Sequence, residues 1–129
     1  MTILVQSIEE KQSLFIIFED PWDINDLKTS FDNDLAYREA WQEKYPNSKI
    51  HLIVDVSKAS FHPKHIQEGR KSPSFTHPTK GLVIVVGANP LTRHLVGAVM
   101  GMLNMKRYYF VQSFDEALHI IEGQDTQHR

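Results

Sequence analysis

The strongest constraint on the fold of this chain is a strand, helix and strand succession over residues 81–111. A continuous aliphatic run at 82–86 leads through Gly87-Ala88-Asn89-Pro90 into an apolar helix over 90–104, followed by a strand over 107–111. Strands that are apolar on both faces are typical of parallel sheets, in which helices cover them. The segment therefore predicts a parallel βαβ unit.

The preceding half of the chain continues this alternation. Apolar runs predict strands over 3–8, 14–18 and 50–56. Between the second and third strands, an apolar repeat at helical spacing predicts a long helix that ends before Pro46, with Asp23 as its N-cap; the repeat consists of Ile24, Leu27, Phe31 and Leu35. Residues 57–80 contain Pro63, Pro73 and Pro78 and leave room for one short helix over 64–71.

The last predicted element is a helix opened by Ser113-Phe114-Asp115-Glu116, which has the pattern of a capping box. Strands joined by helices must be parallel, and sequential strands that are neighbours would place the first three helices on one face. The predicted fold class is α/β, a single domain over 1–129 with a five-stranded mixed sheet in the order ββαβαβαβα. The tail from Gly123 is expected to fray. The expected core contains Leu52, Val54, Ile84, Val86, Leu95 and Leu118.

Composition excludes several classes of function. The chain has no cysteine, which removes disulfides and thiolate chemistry. A net charge of −2 argues against a general nucleic-acid binder. The apolar stretch over 81–105 is interrupted by Asn89, Arg93 and Asn104, so no membrane insertion is expected. The acidic start of the chain is unlike a signal peptide, and the expected location is cytoplasmic.

The order of elements resembles that of STAS-like domains, the α/β modules of sulfate transporters and anti-sigma factor antagonists. The segment Leu52-Ile53-Val54-Asp55-Val56-Ser57 resembles their central strand, and residues 113–121 resemble their final helix. The turn at 87–90 is similar to that of bacterial relatives of the family. The family's phosphorylatable serine would stand near Phe61-His62-Pro63-Lys64, where this chain has no serine. The resemblance therefore implies a signalling module without that switch.

Polar residues at the ends of two predicted strands are candidates for a ligand-binding site. Open α/β sheets bind ligands at the carboxyl ends of their strands. The candidate residues are Asp55, Ser57, Ser60, Asn89, Thr92 and Arg93. The alternative at each position is local capping of a turn or of a helix start.

No catalytic residue, cofactor or metal site is predicted. His62, His65 and His77 are spaced loosely and lack the regular scaffold of a zinc site. Ser57 and Ser60 lack the glycines of a nucleophile elbow.

Contact with another protein is the main predicted activity. The helix over 90–104 is apolar nearly all round, and Gly97 and Gly101 permit close approach. We nominate Val96, Met100 and Leu103 as contact residues, with core packing as the alternative, and a homodimer as the simplest assembly. The aromatic residues of the first helix and the uncovered sheet face are further candidates. The leading hypothesis is a non-enzymatic regulatory or scaffolding module that acts through protein contacts. The alternative is a small-molecule or anion-binding domain at the strand ends near Asp55 and Asn89.

Overall fold

The sheet arranges its five strands in sequence order. A computed structural model describes residues 2–127, with side-chain burial described through residue 123. The strands are β1 (Ile3–Ile8), β2 (Ser13–Glu19), β3 (Ile50–Lys58), β4 (Lys80–Val86) and β5 (Tyr108–Val111). β1 and β2 form an antiparallel pair, and the pairs from β2 to β5 are parallel. The predicted α/β class and the five-stranded mixed sheet of a single domain are confirmed.

Five helices connect and follow these strands: α1 (Ile24–Lys44), α2 (Pro63–Gly69), α3 (Pro73–Thr76), α4 (Pro90–Met102) and α5 (Phe114–Gln127). Between β3 and β4 the sequence predicted one short helix, but the structure has two. The reason is local, because Ser72 caps a second turn that begins at Pro73. α5 continues through the segment expected to fray as far as Gln127, and residues 128 and 129 lie outside the described residues.

Local capping explains where the long helices begin. The Asp23 side chain accepts from the Asp26 amide, while the Asp26 side chain accepts from the Asp23 amide. At α5, Ser113 Oγ accepts from the Glu116 amide at 3.2 Å as predicted. The Glu116 carboxylate, however, accepts from the amide of Gln112, one residue earlier than the capping-box pattern requires.

Two apolar clusters divide the core between the two faces of the sheet. The larger cluster joins strand residues such as Ile16, Leu52 and Val85 to Leu27 of α1 and Met100 of α4. The smaller cluster joins Ile53, Ile84, Val86 and Val111 to Ala117 and Ile121 of α5. The first face is therefore covered by the connecting helices, and the C-terminal helix covers part of the second.

The predicted core was right for three residues and wrong for three. Leu52, Ile84 and Val86 are buried. Val54, Leu95 and Leu118 are only half-buried. Val54 lines an internal cavity, and Leu118 packs at the margin of the α5 cluster. Leu95 of α4 belongs to neither apolar cluster of the described residues.

A buried ion pair replaces apolar residues on the inner side of α1. Leu35, the last residue of the predicted apolar repeat, is exposed, whereas Asp34 and Arg38 are fully buried. Arg38 Nε donates to Asp34 Oδ1 at 2.6 Å. The sequence did not predict a buried pair here, although an acid and an arginine four residues apart on a helix are neighbours.

The same pair anchors α1 to the start of β3, to the residue just before β4 and to α3. Arg38 donates to the Ile50 carbonyl at 3.3 Å, to Thr79 Oγ1 at 3.2 Å and to Ser74 Oγ at 2.9 Å. Asp34 Oδ2 accepts from Ser74 Oγ at 2.5 Å and from Ser72 Oγ at 3.3 Å. Burial lowers the pKa of Arg38, and the charge of Asp34 and its hydrogen bond oppose that shift.

Breaking this pair from one side should destabilise the fold strongly. We expect Arg38→Met to lower the free energy of unfolding by about 3–5 kcal/mol, because it leaves the Asp34 carboxylate buried without its cation. The double variant with Asp34→Leu should be more stable than Arg38→Met alone, since no buried charge remains. Urea denaturation measures both effects, and Lys28→Met on the exposed side of α1 is the control. A stability of Arg38→Met equal to that of the control would contradict the assignment.

Candidate functional site

Asp55 and Ser57 form a local turn at the end of β3. Asp55 Oδ1 accepts from the Ser57 amide at 2.9 Å and from Ser57 Oγ at 2.6 Å. The carboxylate therefore satisfies the backbone where the strand ends. This is the capping alternative that the sequence left open for Asp55.

The end of β4 lies against this turn. Gly87 follows β4 with a φ of +74°, and a Cβ atom built on it would lie 2.5 Å from Ser57 Cβ. Both the positive φ and this close approach require glycine. The structure thus brings Asp55, Ser57 and Gly87 together, and it uses their contact to hold two strand ends in place.

The start of α4 follows Gly87 and holds three further candidate residues, Asn89, Thr92 and Arg93. Asn89 Oδ1 accepts from the Thr92 amide at 2.8 Å, and Pro90 occupies the first helical position. Thr92 is buried. Arg93 Nε donates to the Ala88 carbonyl at 3.2 Å, and its guanidinium lies 5.7 Å from the centre of the Phe110 ring. Ligand binding at these residues stays a prediction. The side chains of Asn89 and Arg93 each make a structural contact of their own.

Ser60 belongs to a different group of residues. Its hydroxyl donates to Asp20 Oδ2 at 2.9 Å, and its carbonyl accepts from Trp22 Nε1 at 3.2 Å. These contacts join the end of β3 to the segment between β2 and α1. The six predicted residues therefore fall into three local groups around the carboxyl edge of the sheet.

The histidines of the loop between β3 and β4 also separate. The rings of His62 and His65 lie 5.2 Å apart, whereas His77 Nδ1 contacts Thr79 Oγ1 at 2.9 Å before β4 begins. The end of β3 and the start of β4 lie at opposite edges of the sheet because the two strands are parallel. Among the described residues, no group of three His, Asp or Glu side chains is arranged to hold a metal ion.

The outer side of α4 carries an apolar stripe. Leu91, Leu95, Ala98 and Met102 recur at spacings of four, three and four residues, the spacing of helix-packing residues in coiled coils. Leu91 is 63% exposed and Met102 is 56% exposed. We call these four residues the α4 stripe.

The stripe corrects the contact residues that the sequence nominated on this helix. Met100 is buried and Val96 packs against the core of the first face. Leu103 follows the last residue of α4 and is half-buried. The sequence indicated that the helix is apolar on two sides, but it did not indicate which side faces the sheet.

The surroundings of the α4 stripe are basic. Residues 69–114 contain six Lys or Arg residues and no Asp or Glu. Arg93 and His94 follow the start of the stripe, and Lys106 and Arg107 follow its end. Among the helices of the described residues, none is both long and apolar enough to cross a membrane.

Comparison with known proteins does not assign the chain to a family. It matches no protein-family model and no curated protein. The resemblance to STAS-like domains therefore stays a prediction.

The contact of Gly87 with Ser57 can be tested by substitution. We expect Gly87→Ala to destabilise the protein by roughly 2–4 kcal/mol, because alanine disfavours the positive φ and its Cβ atom would clash with Ser57. The matched control is Gly101→Ala, for which no atom lies within 4 Å of the added Cβ. That change should stabilise α4 by about 0.5–1 kcal/mol. Thermal denaturation measures both, and equal melting temperatures would disprove the contact.

Proposed function

We propose that this protein is a non-enzymatic, STAS-like regulatory or scaffolding module that binds another protein through the α4 stripe. The observation that carries the proposal is the exposure of Leu91 and Met102 on one side of α4. Exposed apolar residues that share one face of a helix are typical of protein-contact surfaces. A bacterial, cytoplasmic signalling role is part of the proposal and rests on the STAS-like resemblance.

The α4 stripe is a better contact surface than α1. Three apolar or aromatic side chains of this helix are also exposed: Leu35 and Tyr37 within α1, and Tyr45 at its C-cap. Leu35 and Tyr37, two residues apart on the helix, project in different directions. Tyr37, Trp41 and Tyr45 recur every four residues, and the rings of Trp41 and Tyr45 lie 4.7 Å apart. Of the other three predicted aromatic candidates, Trp22 and Phe31 pack against the core, and Trp41 is half-buried. The aromatic row of α1 is less exposed than the α4 stripe, since Tyr37 and Tyr45 are 41% and 43% exposed, against 63% for Leu91 and 56% for Met102.

Charge favours an acidic partner over a second copy of α4. A twofold pairing of α4 helices would bring together segments that carry cations and no acids. Like charges across an interface oppose association. The complementary partner is a helix with an apolar face flanked by Asp and Glu. The predicted homodimer is therefore replaced in this proposal by a heteromeric complex.

The strand ends have less support as a binding site. The Asp55 carboxylate beside Gly87 would repel an anion, and its Oδ1 already accepts two hydrogen bonds. Asn89 Oδ1 already accepts from the Thr92 amide, which is a donor that an anion at the start of α4 would need. These contacts support the structural alternative at both positions.

Partner binding should depend on the stripe and not on α1. We expect Leu91→Lys with Met102→Lys to weaken binding at least tenfold, because two exposed apolar contacts become charged and the acidic partner cannot compensate for their packing. The partner would be captured from the native host with wild-type protein and then purified for calorimetry. Leu35→Lys on α1 is the control and should bind as wild type does. Equal affinity of the stripe variant and wild type would refute the proposal.

Self-association provides an independent test of the partner's chemistry. Light scattering over a wide concentration range should show a monomer, since the basic surroundings of α4 oppose twofold pairing. A stable dimer that the two stripe substitutions dissociate would show instead that the partner is a second copy of this chain.

A further inference from the structure

An apolar cavity of about 110 Å³ lies between the sheet and the helices of its first face. β2, β3 and β4 form one wall, with side chains such as Val54 and Val85. Phe31 of α1, Ile66 of α2 and Met100 of α4 form the opposite wall. None of the residues nominated from the sequence as a ligand site lines this cavity.

The hydroxyl groups in the cavity wall already have partners. Ser30 Oγ donates to the Leu27 carbonyl at 2.7 Å. Ser72 Oγ donates to Asp34 at 3.3 Å and accepts from the Ser74 amide at 3.1 Å. Apolar cavities with few free polar groups stay dry, and one of about 150 Å³ in another protein binds benzene. The size and chemistry of this cavity therefore suit a ring or a short alkyl chain.

A polar groove of about 780 Å³ adjoins the cavity between α1 and α2. Phe31 and His65 line both spaces, so these two half-buried side chains separate the groove from the cavity. The groove contains Lys28, Lys64 and Lys71, and Glu68 is the one carboxylate in its wall. Lys71 lies 3.2 Å from Glu68, which leaves a surplus of two positive charges.

We propose that the cavity and the groove together bind a small amphipathic carboxylate. Its apolar part, the size of a benzene ring or a short alkyl chain, occupies the cavity. Its carboxylate lies in the groove near Lys28 and Lys64, where opposite charge favours it. The ligand passes between α1 and α2 where Phe31 and His65 meet both spaces. This site lies on the inner side of the helices and is distinct from the α4 stripe.

Phenylacetate is a suitable probe, because it combines a benzene ring with a carboxylate. Calorimetry with the full chain should show saturable binding of phenylacetate, with at least tenfold weaker binding of phenethylammonium and of acetate. Phenethylammonium reverses the charge, and acetate lacks the ring. Absence of saturable phenylacetate binding at millimolar concentrations would overturn the proposal, as would equal binding of phenethylammonium.

Variants separate the two parts of the site. Val54→Phe, which fills the cavity from the sheet side, should weaken phenylacetate binding at least tenfold. Ile66→Phe, which fills the cavity from α2, replaces Val54→Phe in this test if the Val54→Phe protein does not fold. Lys28→Gln with Lys64→Gln should also weaken binding at least tenfold, whereas the control Lys44→Gln at the end of α1 should not. Unchanged binding in a folded cavity-filling variant, or in the double lysine variant, would overturn the assignment.

Discussion

The buried ion pair of Asp34 and Arg38 is the interaction on which the arrangement of the first face depends. The Arg38 guanidinium contacts Asp34 on its own helix. It also contacts Ile50 at the start of β3, Thr79 just before β4, and Ser74 in α3. These segments are far apart in sequence, and each supplies an oxygen. A buried charge is tolerated only when it is paired and hydrogen-bonded, so the position of α1 and the path of the loop before β4 are fixed together.

The two edges of the sheet use their polar residues differently. At the edge where β3 and β4 begin, the ion pair ties α1 and α3 to the strands. At the opposite edge, Asp55, Ser57 and Gly87 close the strand ends against each other. The polar residues at both ends of the strands make structural contacts. The proposed binding surfaces are therefore the outer side of α4 and the cavity beneath the helices. α4 contributes to both places, with Met100 facing the cavity and Met102 facing outward.

Sequence reasoning predicted the fold well because long aliphatic runs have few alternatives. The run at 82–86 has to be covered on both faces, and the structure buries all five of its residues. The inner side of α1 was harder to predict, because Asp34 and Arg38 are charged and the apolar repeat continued to Leu35. Only the three-dimensional arrangement shows that Ser72, Ser74 and Thr79 satisfy that pair.

The candidate sites were less predictable for a related reason. The sequence allowed a capping role for Asp55 and Asn89 as an alternative to ligand binding. The hydrogen bonds that favour capping are visible only in the three-dimensional structure. On α4, a helix apolar on two sides does not reveal which side packs inward. The cavity could not be predicted from the sequence, because it depends on how side chains from seven elements fail to fill one space. Shape and orientation of this kind emerge only after the elements pack.

Site-specific photo-crosslinking tests the central claim, that α4 presents its outer side to a protein partner. A photoreactive residue would replace Ala98 at the centre of the stripe, and the control position is Tyr37 on α1. The account predicts that in cells of the native host position 98 crosslinks to one partner, through an amphipathic segment rich in Asp and Glu, and that position 37 does not. Crosslinking of a specific partner from position 37 without any from position 98 would contradict it.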